Sequence, residues 1–315
     1  MINNYVTRGN KMSKLVFMFP GQGSQYVGMG KEFYEKFPVC REVYDLAGEA
    51  SGLDVAKLCF EENDQLHITE YTQIAMLATE AAIYAALKEN GYTPDVTAGL
   101  SLGEYGALIA SGVMSMKDAF AVIRKRGIYM QNAVPTGGAM SAVLGMDAGA
   151  IEEICENTEG MVSIANYNCP GQIVITGEKA AVDAAGAALK DAGAKRIVPL
   201  KVSGPFHSPM LSGAGEQLGG ALKDVKIADH FIPYVANVTA DYVTKEEDVK
   251  PLLEKQVASS VRWQQTIERL IADGADTFVE IGPGKTLSGF MRKINRNVTV
   301  CNIDKMEDFE KYVNG

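Results

Sequence analysis

DVTAGLSLGEYGALIAS, residues 95–111, sets a short apolar run against a helical one across the turn Gly99–Gly103. It opens the stretch from Asp95 to Arg126 around which the chain is organised. A Gly-x-Ser-x-Gly run with Val96 and Ala98 before it and Tyr105, Leu108 and Ile109 after it has the make-up of a nucleophile elbow. In such a turn the serine sits on a strained strand-to-helix corner with its hydroxyl exposed, and the glycines let the backbone pass closely. Ser101 is then the candidate nucleophile. The alternative is a plain strand-to-helix turn, because glycine is common in a chain that has 32 of them.

The surrounding 315 residues are long enough for one large domain or two modest ones. Apolar residues at 47% and charged residues at 22% are ordinary globular usage. A formal net charge of −9 argues against a nucleic-acid surface, which needs a broad basic face to displace counterions. Local basic clusters do occur, at Lys195 with Arg196 and at Lys285, Arg292, Lys293 and Arg296. Five widely spaced cysteines with no CxxC pair fit neither a disulfide framework nor a zinc site, and suit a reducing cytoplasm. No metal site is expected. No run approaches the ~18 apolar residues of a membrane helix, and residues 1–11 are polar and patternless, so they are expected to be a disordered tail with Met12 as the native start.

Upstream of the elbow, Lys14 to Phe19 reads as a buried strand closed by Pro20-Gly21, followed by the glycine-rich loop GQGSQYVGMG. That loop lacks the Gly-Lys-Ser/Thr ending of a phosphate loop. The chain looks helical from Lys31, with Phe33, Phe37 and Val43 to Leu46 as its apolar residues, and again from Thr72 to Asn90. Downstream, Lys117 to Ala133 reads as a helix whose apolar face holds Ala119, Ile123 and Met130 with Arg126 in their midst, while Arg124 and Lys125 fall on the polar side. An arginine in an apolar stripe is costly unless paired. Two readings stand: a structural salt bridge to an acid such as Glu104, or a fork that receives a ligand carboxylate.

Residues 139–203 read in the order βαββαβ, the ferredoxin-like motif, bounded by Pro135–Gly138 and by Ser203-Gly-Pro205. The expected architecture is therefore α/β: a catalytic large domain with a mainly parallel sheet (12–134 and 207–315) and an inserted ferredoxin-like small domain (135–206), with the site in the cleft between them. The later strands are expected at Ile232 to Val238, Thr277 to Ile281 and Val298 to Ile303, with a helix around Trp263 to Asp273. Of only three histidines, His67 and His230 read as surface or packing residues, while His207 lies where the small domain rejoins the large one. A serine nucleophile needs a base that titrates near working pH, which points to His207. No Asp or Glu is near it in sequence, so a backbone carbonyl is expected to hold its other nitrogen.

FPGQGSQYVGMG (19–30), GLSLGEYGAL (99–108), RKRGIYMQNAVP (124–135), NYNCPGQIVITG (166–177), FHSPM (206–210), SVRW (260–263) and EIGPGKTL (280–287) together resemble the malonyl-CoA:acyl carrier protein transacylases and the related acyltransferase domains of fatty acid and polyketide synthases. The likeness runs from Met12 to about residue 304 and implies an α/β-hydrolase-like large domain. It implies Ser101 as the residue acylated, His207 as general base and Arg126 as partner of the malonyl carboxylate. It assigns an oxyanion hole to the backbone N–H groups of Gln22 and Leu102, and places Gln73 and Gln172 along the site. Phe206 matches the form associated with malonyl preference, its ring leaving little room for an α-methyl branch. The family usually carries histidine where this chain has Leu100, whose side chain is expected to point away from the reacting bond.

The implied activity is ping-pong transfer of malonyl from malonyl-CoA to the phosphopantetheine thiol of acyl carrier protein, for fatty acid synthesis in the cytoplasm. It implies no cofactor beyond malonyl-CoA and CoA as substrate and product, and a monomer. The basic residues near Lys195 and Arg292 become candidate docking points for an acidic carrier. A serine thioesterase using the same Ser101 and His207, and a non-catalytic carrier-binding module, are the alternatives.

Overall fold

KLVFMF, residues 14–19, alternates its side chains between two apolar environments, and this places it in the middle of a sheet covered on both faces. In the computed structural model, which describes residues 13–202 and 204–315, Phe17 and Phe19 enter one buried cluster while Val16 and Met18 enter another. The tail at 1–11, Met12 and the Ser203 boundary lie outside the described residues.

The first part of the chain runs β1 (Lys14–Phe19), α1 (Lys31–Lys36), α2 (Pro38–Ser51), α3 (Val55–Phe60), α4 (Thr69–Glu89), β2 (Val96–Gly99), α5 (Gly103–Ser111) and α6 (Met116–Ala133). Next come β3 (Gly138–Leu144), α7 (Ala148–Glu156), β4 (Val162–Cys169), β5 (Gln172–Glu178), α8 (Lys179–Asp191) and β6 (Arg196–Pro199). The chain finishes through α9 (Ser212–Leu222), β7 (Tyr234–Val235), β8 (Tyr242–Val243), α10 (Glu246–Gln256), α11 (Trp263–Ala272), β9 (Ala275–Ile281), α12 (Thr286–Ile294), β10 (Thr299–Ile303) and α13 (Met306–Asn314).

The large sheet has the order β10-β9-β1-β2-β7-β8 and is parallel except for the β7–β8 hairpin. The small sheet has the order β4-β5-β3-β6 and is antiparallel throughout, as a ferredoxin-like βαββαβ unit requires. Its core is Val143, Ile164, Ile173 and Ile175 against Ile151 of α7 and Val182 and Leu189 of α8. The fold class is the one expected, an α/β protein with a mainly parallel sheet and a second antiparallel sheet.

Helix α4 is buried from Thr72 to Leu87, and so carries Gln73 into the interior. The helix read from Lys31 is interrupted at Phe37, whose extended backbone precedes Pro38 at the first position of α2, where a missing N–H costs nothing. The strand expected over Ile232 to Val238 shortens to Tyr234–Val235 before turning back as β8. Among the described residues no helix is long and apolar enough to cross a membrane.

Candidate active site

The site starts where β1 and β2 end side by side. They run parallel with Phe19 opposite Gly99, and Leu100 N–H donates to the Phe19 carbonyl at 3.0 Å. The loop Pro20–Gln22 is thereby brought against the elbow, with a Cβ on Gly21 falling 2.7 Å from the Leu100 carbonyl oxygen. Leu100 itself packs toward this loop and the cluster of Val16, Met18 and Phe290. Ser101 turns the corner in the left-handed region at φ 56°, and His207 does the same at φ 58°. Apart from Ala240 these are the only non-glycine residues at positive φ among the described residues. Strain of this kind persists where surrounding structure holds it, and it gathers at functional sites.

Ser101 Oγ lies 2.7 Å from His207 Nε2. The other ring nitrogen, Nδ1, lies 3.0 Å from the backbone carbonyl of Gln256, the last residue of α10. A carbonyl only accepts, so Nδ1 carries the proton and Nε2 of the neutral ring is left to accept from the serine hydroxyl. The expected carbonyl partner is present, and the residue that supplies it was not identifiable from spacing. Burial and, after it, the charge of Arg126 lower the His207 pKa to about 4, outweighing the Gln256 bond that raises it.

Arg126 is 1% exposed. Its Nη1 donates to Gln73 Oε1 at 2.7 Å, and its Nη2 to Ser101 Oγ at 3.2 Å and Gln256 Oε1 at 2.9 Å. No carboxylate pairs with it among the described residues, and its Nε has no acceptor. Of the two readings of this arginine, the salt bridge to Glu104 is not formed: Glu104 Oε2 accepts from Gln256 Nε2 at 2.6 Å and from Asn237 N–H at 3.2 Å instead. Arg124, from the polar side of the helix, takes the half-buried acid Glu70 at 2.9 Å. A guanidinium held by neutral acceptors keeps its positive charge without an ion-pair partner beside the candidate nucleophile.

The remaining expected residues divide. Gln73, Phe206 and Leu102 are buried around the cluster, Leu102 directly after the nucleophile at the start of α5. Gln22 bonds through Nε2 to Thr69 Oγ1 at 3.1 Å. No acceptor of the Gln22 or Leu102 backbone N–H is seen among the described residues. Gln172 is held from outside the cluster. At the start of β5 it accepts from Lys293 of α12 at 3.2 Å, and among the described residues no hydrogen bond joins it to Ser101, His207 or Arg126. His67 and His230 are both exposed, and His67 Nδ1 lies 3.3 Å from Gln25 Nε2.

Two further residues build the site. Asn237 Oδ1 accepts the Ser101 N–H at 2.7 Å and its Nδ2 donates to the Gly99 carbonyl at 2.6 Å, clamping the elbow from both sides. Gln256 reaches His207, Arg126, Glu104 and the Ser101 carbonyl at once. It is carried there by α10, which packs on α9 so closely that a Cβ on Gly215 would lie 2.9 Å from the Glu254 carbonyl oxygen. Among the described residues no cluster of His, Cys, Asp and Glu could hold a metal ion.

A serine, a neutral histidine and an arginine without an ion-pair partner, meeting at one hydroxyl, suit transfer of an acyl group that itself carries an acid. The family model described as an acyl transferase domain matches residues 16–306. The chain belongs to this family. It is 47% identical over 304 residues to the malonyl CoA-acyl carrier protein transacylase of Bacillus subtilis (strain 168), covering 95% of this chain and 96% of that protein. The crystal structure of the transacylase of the same name from Clostridium perfringens superposes with a TM-score of 0.92 at 44% identity, covering 96% of each chain. A type II PKS acyl-carrier protein in complex with its malonyl-transacylase also matches, at TM-score 0.92 and 36% identity, covering 96% of this chain and 99% of that one. As an acyl transferase family member, the chain has a fold matched over nearly its whole length.

Proposed function

We propose that this chain transfers the malonyl group from malonyl-CoA to the phosphopantetheine thiol of an acyl carrier protein, by way of a malonyl ester on Ser101, supplying extender units for fatty acid synthesis. The observation that carries this reading is Ser101 Oγ held between His207 Nε2 at 2.7 Å and the guanidinium of Arg126 at 3.2 Å. As Oγ attacks the thioester carbonyl, its proton passes to Nε2, and the new imidazolium is steadied by the Gln256 carbonyl at Nδ1. The carbonyl oxygen, now negative, falls to the N–H groups of Leu102 and Gln22. When the C–S bond breaks, the imidazolium returns its proton to the CoA thiolate. The carrier thiol repeats the sequence in reverse roles. Arg126 pairs with the free carboxylate and so favours dicarboxylic acyl groups, with the Phe206 ring restricting α-branching.

Every bond and proton in these steps is accounted for by the chain and its two substrates, so no further cofactor is invoked. The exposed Lys195, Arg196, Lys285, Arg292, Lys293 and Arg296 suit an acidic carrier. We take the working form to be a cytoplasmic monomer.

Intact-protein mass spectrometry after brief mixing with malonyl-CoA or acetyl-CoA, then a chase with pantetheinylated carrier, tests the proposal. The wild type is expected to gain a malonyl adduct that moves to the carrier, and Arg126→Ala to lose its preference for malonyl over acetyl by about a hundred-fold, the scale of a charge-assisted pair in a buried site. Free malonate accumulating with no adduct would indicate a hydrolase.

The depressed pKa also fixes a pH dependence. His207 must be neutral to accept the serine proton, so acylation by acetyl-CoA, which does not call on the Arg126 fork, is expected to stay nearly level from neutral pH downward and to fall steeply only as the solution approaches the pKa of about 4. In Arg126→Ala, with a positive neighbour gone, the fall should begin at higher pH. Rates of acylation by acetyl-CoA from about pH 4 to 8 measure both, and a wild-type midpoint near the ordinary histidine value would contradict the burial argument. The sign for stability is the same: below the unfolded value of 6.5 the unfolded chain binds the extra proton, so this group's contribution is lost as pH falls toward 4.

A further inference from the structure

Gln256 ends in an amide whose two arms have the same shape, so its direction is set by neighbours alone. Oε1 accepts from Arg126 Nη2 at 2.9 Å. Nε2 donates to Glu104 Oε2 at 2.6 Å and to the Ser101 carbonyl at 3.0 Å. A carboxylate has no hydrogen to give and can only accept. Turned over, the amide would set its NH2 against the guanidinium and its carbonyl against the carboxylate, which is donor on donor and acceptor on acceptor.

We propose that Glu104 is a positioning residue which, through the Gln256 amide, holds Arg126 in the orientation that receives the acyl carboxylate. The inference rests on the transfer reading given above. Glu104 is 1% exposed, in the first turn of α5, where the helix N-terminus favours an acid. It stands three residues from Ser101, and the same Oε2 also accepts from the backbone N–H of Asn237, the residue that clamps the elbow. Among the described residues no ion pair joins Glu104 directly to Arg126, so although the two charges attract through space, its hold on the orientation of the fork passes through Gln256. A carboxylate in direct contact would occupy the guanidinium and compete with the substrate. One set back behind an amide balances the buried charge and leaves the fork free.

Glu104→Gln keeps size and polarity but gives the side chain a donor of its own, so that either amide direction is tolerated. Burial pushes the Glu104 pKa up to about 7 against the opposing pull of Gln256, Asn237 and Arg126, so the comparison belongs at about pH 8, where the wild-type group is ionised. The variant is expected to lose about ten-fold or more in kcat/KM for malonyl-CoA, mainly through KM, while acylation by acetyl-CoA falls at most about three-fold. In an Arg126→Ala background the same substitution should add little, since its route to the substrate is gone. Equal losses with both donors, or an undiminished effect without Arg126, would make Glu104 a structural member of the elbow and overturn the proposal. If Glu104→Gln does not fold, Glu104→Asp, which keeps the charge but withdraws it from Gln256 by one methylene, is read the same way. Wild-type protein that forms no malonyl ester would overturn the transfer reading itself, and this role with it.

Discussion

Replacing Ser101 by alanine is expected to abolish the malonyl ester and to lower malonylation of the carrier by about ten-thousand-fold or more, and His207→Ala is expected to do nearly the same. The double variant should be no worse than either single one. The reason is the shared proton. Ser101 Oγ and His207 Nε2, 2.7 Å apart, act as one unit, because the hydroxyl is a poor nucleophile until the ring accepts from it and the ring has no other proton to take. Arg126 also donates to Oγ, at 3.2 Å, and with the ring removed it still lowers the cost of an alkoxide, but it provides no place for the proton. Single-turnover transfer to a pantetheinylated carrier, with the ester followed by mass, measures all three variants. Losses that multiply in the double variant would mean that the two residues serve separate steps.

How much of this was legible in the sequence depends on whether a feature is local. The elbow was, because β2, Ser101 and α5 are consecutive and the glycines mark the corner. The βαββαβ unit was, because all of its strands fall within one run of chain. Arg126 stood out as a charge on an apolar stripe, yet its partners could not be read: Gln73 is 53 residues away and Gln256 is 130. Gln256 was missed altogether. It ends α10, a helix with Pro251 inside it, and α10 is held by α9, whose glycines form a flat face that admits the Glu254 backbone. Asn237 was hidden for a similar reason, since the strand expected around it stops at Val235 and leaves its side chain free to clamp Ser101.

The largest structural effect is expected from Gly103→Ala. Gly103 is the last residue of the GLSLG turn and the first of α5, and what it needs is space, since the positive φ of the turn belongs to Ser101. A Cβ there would lie 2.2 Å from the Phe19 carbonyl oxygen and 2.6 Å from that of Pro20, both backbone atoms at the end of β1. No rotamer change relieves such a contact, so the central strand and the elbow must part. Overpacking of this kind costs about 3 kcal/mol or more. The strand end that gives way leads directly to Gln22, while Leu102 stays with the elbow, so the two proposed oxyanion donors are pulled apart. Loss of one such donor is worth about a hundred-fold or more in rate. Thermal unfolding should therefore fall markedly, and any folded fraction should acylate about a hundred-fold more slowly. Gly213→Ala, on α9 with nothing within 4 Å of the added carbon, is the control and should be neutral or slightly stabilising. If Gly103→Ala melted and reacted like that control, the close approach of β1 to the elbow would not be what holds the oxyanion donors in register.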